Sequence, residues 1–192
     1  MIAFGMHYVM TTDRTQLRRF TPDDLENVYS MVSDPEVMRH YPGVRDDAGA
    51  QKWLEFTLAG YELNGYSFFA VERKSDGAFV GQVGLLHWDD VDGRPDIEVA
   101  YMLAREHWGH GYASEAARAC MQYAFEELDA DRVVSFIAVE NGPSIAVAER
   151  NGMKRLKRLD ENRWGKPMYV YAMYREDWDA STRAYCTVQR NK

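Results

Sequence analysis

Apolar and polar positions along the chain recur at two spacings, about 2 and about 3.6 residues, and the switches between them outline the elements. The clearest helix follows a pair of glycines. Ala113, Ala116, Ala117, Cys120, Met121, Ala124 and Leu128 recur at i, i+3, i+4, i+7, with Ser114, Glu115, Arg118, Gln122, Glu126 and Glu127 mostly between them. An earlier helix starts at Thr21-Pro22-Asp23-Asp24, with Thr as cap and Pro at the first helical position. Leu25, Val28, Tyr29 and Val32 form its stripe, and Asp34-Pro35 ends it. A second spans about 46–63, with Ala50, Trp53, Leu54, Leu58 and Tyr61 inward and Asn64-Gly65 as its stop. A short helix begins at Pro143 and stops at Asn151-Gly152.

Between the helices lie runs with strand character, at 17–20, 66–73, 79–88, 97–103, 132–139, 154–159 and 168–174. Turn residues separate several of them: Lys74 to Gly77, then 89–95 around Gly93, then 161–165. The expected fold is a mixed α/β domain. A central, largely antiparallel twisted sheet of about seven strands is flanked by helices, with one βαβ crossover at the glycines. At 192 residues a single domain over 1–192 is expected, its core about 15–176, with 1–12 and 177–192 peripheral and the last residues weakly patterned.

Composition narrows the function classes. Net charge is 23 − 30 = −7, which argues against general nucleic-acid binding and is compatible with a cationic amine partner, though solubility explains it equally well. Cys120 and Cys186 make no disulfide framework, Cys120 reads as a small buried hydrophobe, and a reducing cytoplasm is expected. Residues 1–10 are apolar but lack a basic start and a long apolar stretch, so they do not read as a signal peptide. No run approaches the ~20 apolar residues of a membrane span, and no membrane partner is expected.

The candidate chemistry centres on Trp108-Gly109-His110-Gly111-Tyr112-Ala113-Ser114, where a strand hands over to the main helix. Two closely spaced glycines at a helix N-terminus leave N–H groups and the positive end of the helix dipole open to a phosphate. The same spacing also occurs in ordinary tight turns. His107 and His110 form an H-x-x-H without a nearby third ligand and read as loop residues, with no metal expected.

Context extends this reading. Residues 96–116 resemble the acetyl-CoA-binding motif of the GCN5-related N-acetyltransferases, Arg/Gln-x-x-Gly-x-Gly/Ala, with Trp108, Gly111 and Ala113 at its fixed places. The likeness is nearest to the branch of ribosomal-protein and spermidine acetyltransferases, and Trp108 departs from the general pattern. A second stretch, 139–153, is similar to the family's Asn-x-x-Ser/Ala…Asn/Leu-Gly-Phe element. The resemblance covers about 17–173. It implies a sheet whose fourth and fifth strands splay apart, acetyl-CoA as cosubstrate, and direct transfer to a primary amine: a protein N-terminus, a polyamine or a small molecule. The backbone of Tyr101, Met102 and Leu103 would meet the pantetheine arm. Trp108 to Ser114 would hold the pyrophosphate. Asn141 would bridge the splayed strands or touch the cofactor. Relatives are often dimers, so the resemblance allows a homodimer.

Acetyl transfer needs an amine stripped of its proton. Glu98 is the first candidate base: strand alternation puts it on one face with Ala100 and Met102. Its plain alternative is an edge salt bridge or a hydrogen bond to the neighbouring hairpin. Glu161 is the rival base, or simply a turn acid beside Asp160 and Arg163. The family's thiolate-protonating Tyr falls at Ala148 here; Ser144 would substitute, or would serve only the helix start. A catalytically idle acyl-CoA-binding module is the alternative function. His40, Tyr41, Trp53 and Tyr61 either wall an acceptor pocket or belong to the core.

Overall fold

In a computed structural model, which describes residues 8–160, 165–178 and 186–187, nine strands form one sheet in the order β7-β8-β6-β5-β4-β3-β2-β1-β9. In chain order they are β1 (Tyr8–Thr12), β2 (Thr15–Arg19), β3 (Phe68–Arg73), β4 (Phe79–Trp88), β5 (Asp96–Leu103), β6 (Arg132–Ala138), β7 (Lys154–Leu159), β8 (Met168–Tyr174) and β9 (Cys186–Thr187). The helices are α1 (Leu25–Val32), α2 (Asp47–Asn64), α3 (Tyr112–Glu126) and α4 (Gly142–Arg150). All the pairings are antiparallel except β5–β6.

The end signals of α2 work as the sequence indicates. Asp46 caps it by accepting from the Gly49 N–H at 2.9 Å, and Gly65 closes it in the left-handed region at φ 81. Upstream of α1, Pro22–Asp24 form a turn of 3-10 helix, and buried Asp24 accepts from the Thr21 N–H at 2.8 Å. The stripe of α1 is corrected: Val28, Met31 and Val32 are buried, whereas Tyr29 is exposed. At 100° per residue Tyr29 lies roughly 100° from the centre of the buried face.

Two strands at one end of the sheet carry no sequence signal strong enough to be read. β1 pairs with β2 through a hairpin, and two-residue β9 pairs with β1, so both join the sheet beyond the seven expected strands.

The two faces of the sheet carry different helices. On one, Phe68, Gly84, Leu86, Glu98, Ala100 and Met102 lie toward α1 and α2, and Trp53 of α2 stacks on Phe68. On the other, Phe69, Val83, Leu85, Val99 and Tyr101 lie toward α3, whose Tyr123 meets Phe69 edge-on. Ala116, Ala117, Cys120 and Ala124 are fully buried, and such small residues let α3 lie close on the sheet. Buried Met121 and Phe125 add roughly 1.5–3 kcal/mol each of apolar burial. Gly84 is demanded by packing: a Cβ there would stand 2.3 Å from the Phe68 Cα.

The feature that positions the site is the β5–β6 pair. These parallel strands are in register only at Ile97↔Val133 and Glu98↔Val134, and beyond that point they part. At the closed end, the buried Arg132 guanidinium grips Asp96, with Nε 3.0 Å from Oδ1, and also reaches the Val91 carbonyl at 3.3 Å. Burial opposes the Arg132 charge, but the Asp96 bonds dominate and raise its pKa.

Candidate active site

The parted strands open a cleft of about 1830 Å³ that reaches both faces of the sheet. Trp53, Phe68 and Trp88 line it on the α2 side; the glycine loop, Ser114 and Ser144 line it on the α3–α4 side. An opening through a sheet lets two reactants approach from opposite faces and meet at its middle, which here is β5 between Glu98 and Tyr101.

On the α3 side the loop has the geometry its glycines suggest. Gly109 and Gly111 sit at φ 76 and 83, and Gly111 is the N-cap of α3. Only glycine takes such angles without strain. No side chain caps this end, and the first turn of any helix holds N–H groups with no partner inside it. His110 stacks on Tyr112, with ring centroids 5.8 Å apart. The Trp108 indole N–H donates to the Leu103 carbonyl at 2.8 Å, tying the loop back to the end of β5.

One contributor has no local signature in the sequence. Arg14, in the β1–β2 turn, donates from Nη1 to the His110 carbonyl at 2.9 Å and lies over the Tyr112 ring at 4.9 Å. Its Nε and backbone N–H each bond Glu115 at 2.8 Å, and the Thr12 hydroxyl donates to the same carboxylate. Burial alone would raise the Glu115 pKa, but these donors outweigh it and hold it below the usual carboxylate range. Arg14, Arg118 and Arg150 all line this side of the cleft, and Arg150 also donates to the Ser114 hydroxyl at 2.9 Å.

In the middle, Glu98 is 7% exposed. Its Oε2 accepts from the Trp88 indole N–H at 2.8 Å and its Oε1 from the Phe136 N–H at 3.3 Å. The hydrogen bond to the neighbouring hairpin is therefore present. The second bond goes to β6 just beyond the last paired residue, so the carboxylate spans the root of the opening. Tyr101 points to the opposite face and donates to the Ser144 carbonyl at 2.8 Å. Burial raises its pKa, with Ser135 opposing and Glu98 adding to the rise.

Asn141 caps α4, accepting from the Ser144 N–H at 3.2 Å, and both residues line the cleft. Ala148 is 1% exposed within the core and offers no acid. Met102, Ala113 and the other loop residues named from sequence also line the cleft. Glu161 lies outside the described residues. On the α2 side His40, Tyr41 and Trp53 line the cleft. Tyr61 does not: it is core, with its hydroxyl accepting from the Phe20 N–H at 2.9 Å and donating to the Phe68 carbonyl. His40 is held below its usual pKa first by burial, then by the Lys166 and Arg39 cations, against Glu140. Among the described residues no group of three His, Cys, Asp or Glu is placed to hold a metal ion, and no helix is long and apolar enough to cross a membrane.

Residues 14–154 match the model of the acetyltransferase (GNAT) domain. The chain belongs to the GNAT acetyltransferases. It is 36% identical over 163 residues to the uncharacterized protein YkkB of Bacillus subtilis (strain 168), covering 84% of this chain and 93% of YkkB. It is 31% identical to the uncharacterized N-acetyltransferase p20 of Bacillus licheniformis, over 83% of this chain and 91% of p20. The crystal structure of the acetyltransferase from Agrobacterium tumefaciens str. C58 superposes with a TM-score of 0.75 at 26% identity, covering 91% of this chain and 98% of that one.

Proposed function

We propose that this GNAT acetyltransferase moves an acetyl group from acetyl-CoA directly to a primary amine, in a reducing cytoplasm. The observation that carries the reading is the single cleft that joins the uncapped N-terminus of α3 to the Glu98 carboxylate through the parted strands. The residues fit the cosubstrate. Tyr112, Ala113 and Ser114 supply first-turn N–H groups, glycines leave room beside them, and Arg14, Arg118 and Arg150 bring positive charge for phosphates. The unpaired edge of β5 from Val99 to Leu103 offers backbone groups to an extended amide arm.

Acetyl-CoA supplies the acyl group as a thioester. Glu98 takes a proton from the bound ammonium, directly or through a water, leaving a lone pair to form the N–C bond as the C–S bond breaks. Holding both reactants at one opening supplies much of the remaining rate. With Ala148 in the core, the thiolate either leaves unprotonated, the nitrogen's second proton passing to water, or takes its proton from Ser144, which that second proton then restores. A thiol pKa near 8.5 makes the unassisted departure feasible.

A second reading is an acyl-CoA-binding module without turnover, and buried Ala148 is the observation that favours it. Calorimetric titration with acetyl-CoA, with ATP and NADH as controls, tests the shared part of both. The expected result is selective acetyl-CoA binding, abolished by Gly111→Trp, together with amine-dependent release of CoA thiol. Absence of acetyl-CoA binding refutes both readings; binding without thiol release across an amine panel leaves the module.

A further inference from the structure

The acceptor half of the cleft has a composition of its own. Tyr41 meets Trp53 edge-on, with centroids 5.9 Å apart, and Trp53 stacks on Phe68 at 6.3 Å and 25°. Across the opening, Trp88 meets Phe136 edge-on at 5.6 Å. Leu86 and Met168 add apolar surface to the same walls. At the mouth, Tyr41 is 38% and Phe56 57% exposed. The two aromatic sets flank Glu98, which receives the Trp88 indole N–H.

Charge argues the same way. On this side, among the described residues, the lining acids are Glu36, Glu98 and Glu140, and the cations are Arg39, Lys52 and Lys166. Glu36 is bound by Arg39, Lys166 donates to the His40 carbonyl, and Glu140 acts on His40 together with the Lys166 and Arg39 cations, so Glu98 is the one of these three acids set among rings rather than among cations. A polyamine needs several carboxylates spaced along its length. Here its second and third ammonium groups would meet cations and rings. A single ammonium beside one carboxylate, carried on a flat apolar body, matches what the walls offer: ring faces for stacking and for cation–π attraction.

We infer that the acceptor is a small primary monoamine with an aromatic body, an arylalkylamine, held between the Tyr41–Trp53–Phe68 and Trp88–Phe136 rings with its nitrogen toward Glu98. This inference rests on the transferase reading above and narrows it.

The test is a panel assay on the full chain with acetyl-CoA, following CoA thiol release. 2-Phenylethylamine and tryptamine are compared with butylamine, spermidine and a short peptide with a free N-terminus. The expected result is a kcat/KM at least tenfold higher for both arylalkylamines than for the rest. Tyr41→Ala, at an exposed position outside the core, is expected to raise KM for 2-phenylethylamine about 2- to 10-fold, the worth of one aromatic contact, with KM for acetyl-CoA unchanged. Equal or better turnover of butylamine, spermidine or the peptide overturns the inference and leaves the transferase reading standing. So does a Tyr41→Ala effect that falls equally on both substrates. No thiol release with any amine of the panel, from protein that binds acetyl-CoA, overturns the transferase reading and the inference together.

Discussion

Glu98→Gln separates chemistry from architecture because the geometry fixes the cost on each side. Two neutral donors, the Trp88 indole N–H and the Phe136 amide, converge on the two carboxylate oxygens. Glutamine keeps one acceptor oxygen and puts an NH2 where a donor already points. One buried donor is stranded, at about 1–3 kcal/mol of stability. For a chain of this size that is a fall of roughly 2–10 °C in Tm. Loss of a general base costs about 10²–10⁴ in turnover, or about 2.7–5.4 kcal/mol at the barrier. The variant should therefore stay folded, bind acetyl-CoA with unchanged affinity, and lose at least 100-fold in kcat. Calorimetry gives Tm, titration gives the affinity, and thiol release gives kcat. Turnover within threefold of wild type would refute the base assignment. A loss of acetyl-CoA affinity matching the loss of rate would show that Glu98 serves only to hold the strands apart.

Three further outcomes follow from other parts of the fold. Arg14→Ala removes the hold on the His110 carbonyl and on Glu115, so KM for acetyl-CoA should rise several-fold while KM for the amine stays put; a shift in amine KM alone would contradict this. Asp24 is buried, which by itself raises its pKa, but bonds from Arg18, Thr21 and Asn27 prevail and hold it below its ordinary value. Because the native pKa is depressed, its stabilisation is complete above the unfolded-state value near about 4 and is lost as pH falls through the native one. Urea midpoints measured from pH 6 to pH 2 should fall less steeply in Asp24→Asn than in wild type. Gly84→Ala drives a methyl to 2.3 Å from the Phe68 Cα and 2.5 Å from the Ser67 carbonyl, backbone that cannot swing aside. It should cost roughly 3 kcal/mol or more, read as a lowered urea midpoint, and a loss under about 1 kcal/mol would refute the packing argument.

Local signals and long-range ones differed in how far they could be read. The caps of α2, the span of β4 and the hairpin of β7 and β8 are written in adjacent residues: Asp46, Gly65, and two runs on either side of a turn. The glycine loop was legible for the same reason, since its turn and the helix that follows are continuous in sequence. The Arg14–Glu115 contact joins residues 101 positions apart and has no period to betray it. β1 lies next to an apolar start with no clear alternation, and β9 is two residues long. Helical spacing places Tyr61 on a face but does not say what that face meets, wall or core. Glu98 was legible as an unusual residue, a lone acid in an apolar strand. Its two donors come from a different strand each, so its role as a brace across the opening emerges only in three dimensions.

The V between β5 and β6 has a mechanical meaning. The strands on either side, β7-β8-β6 and β5-β4-β3-β2-β1-β9, are stitched directly at two register positions and by the Arg132–Asp96 clamp near the apex. Beyond the apex the sheet lacks its rungs, and an extended amide arm lying in the gap would supply them. Such an arm would act as a temporary strand, and the two half-sheets would become one elastic body only while it is in place. Amide exchange along β6 beyond Phe136 should slow when acetyl-CoA binds, and thermal unfolding should sharpen. On this view the enzyme stiffens around its donor before the amine arrives, which favours an ordered encounter with acetyl-CoA first.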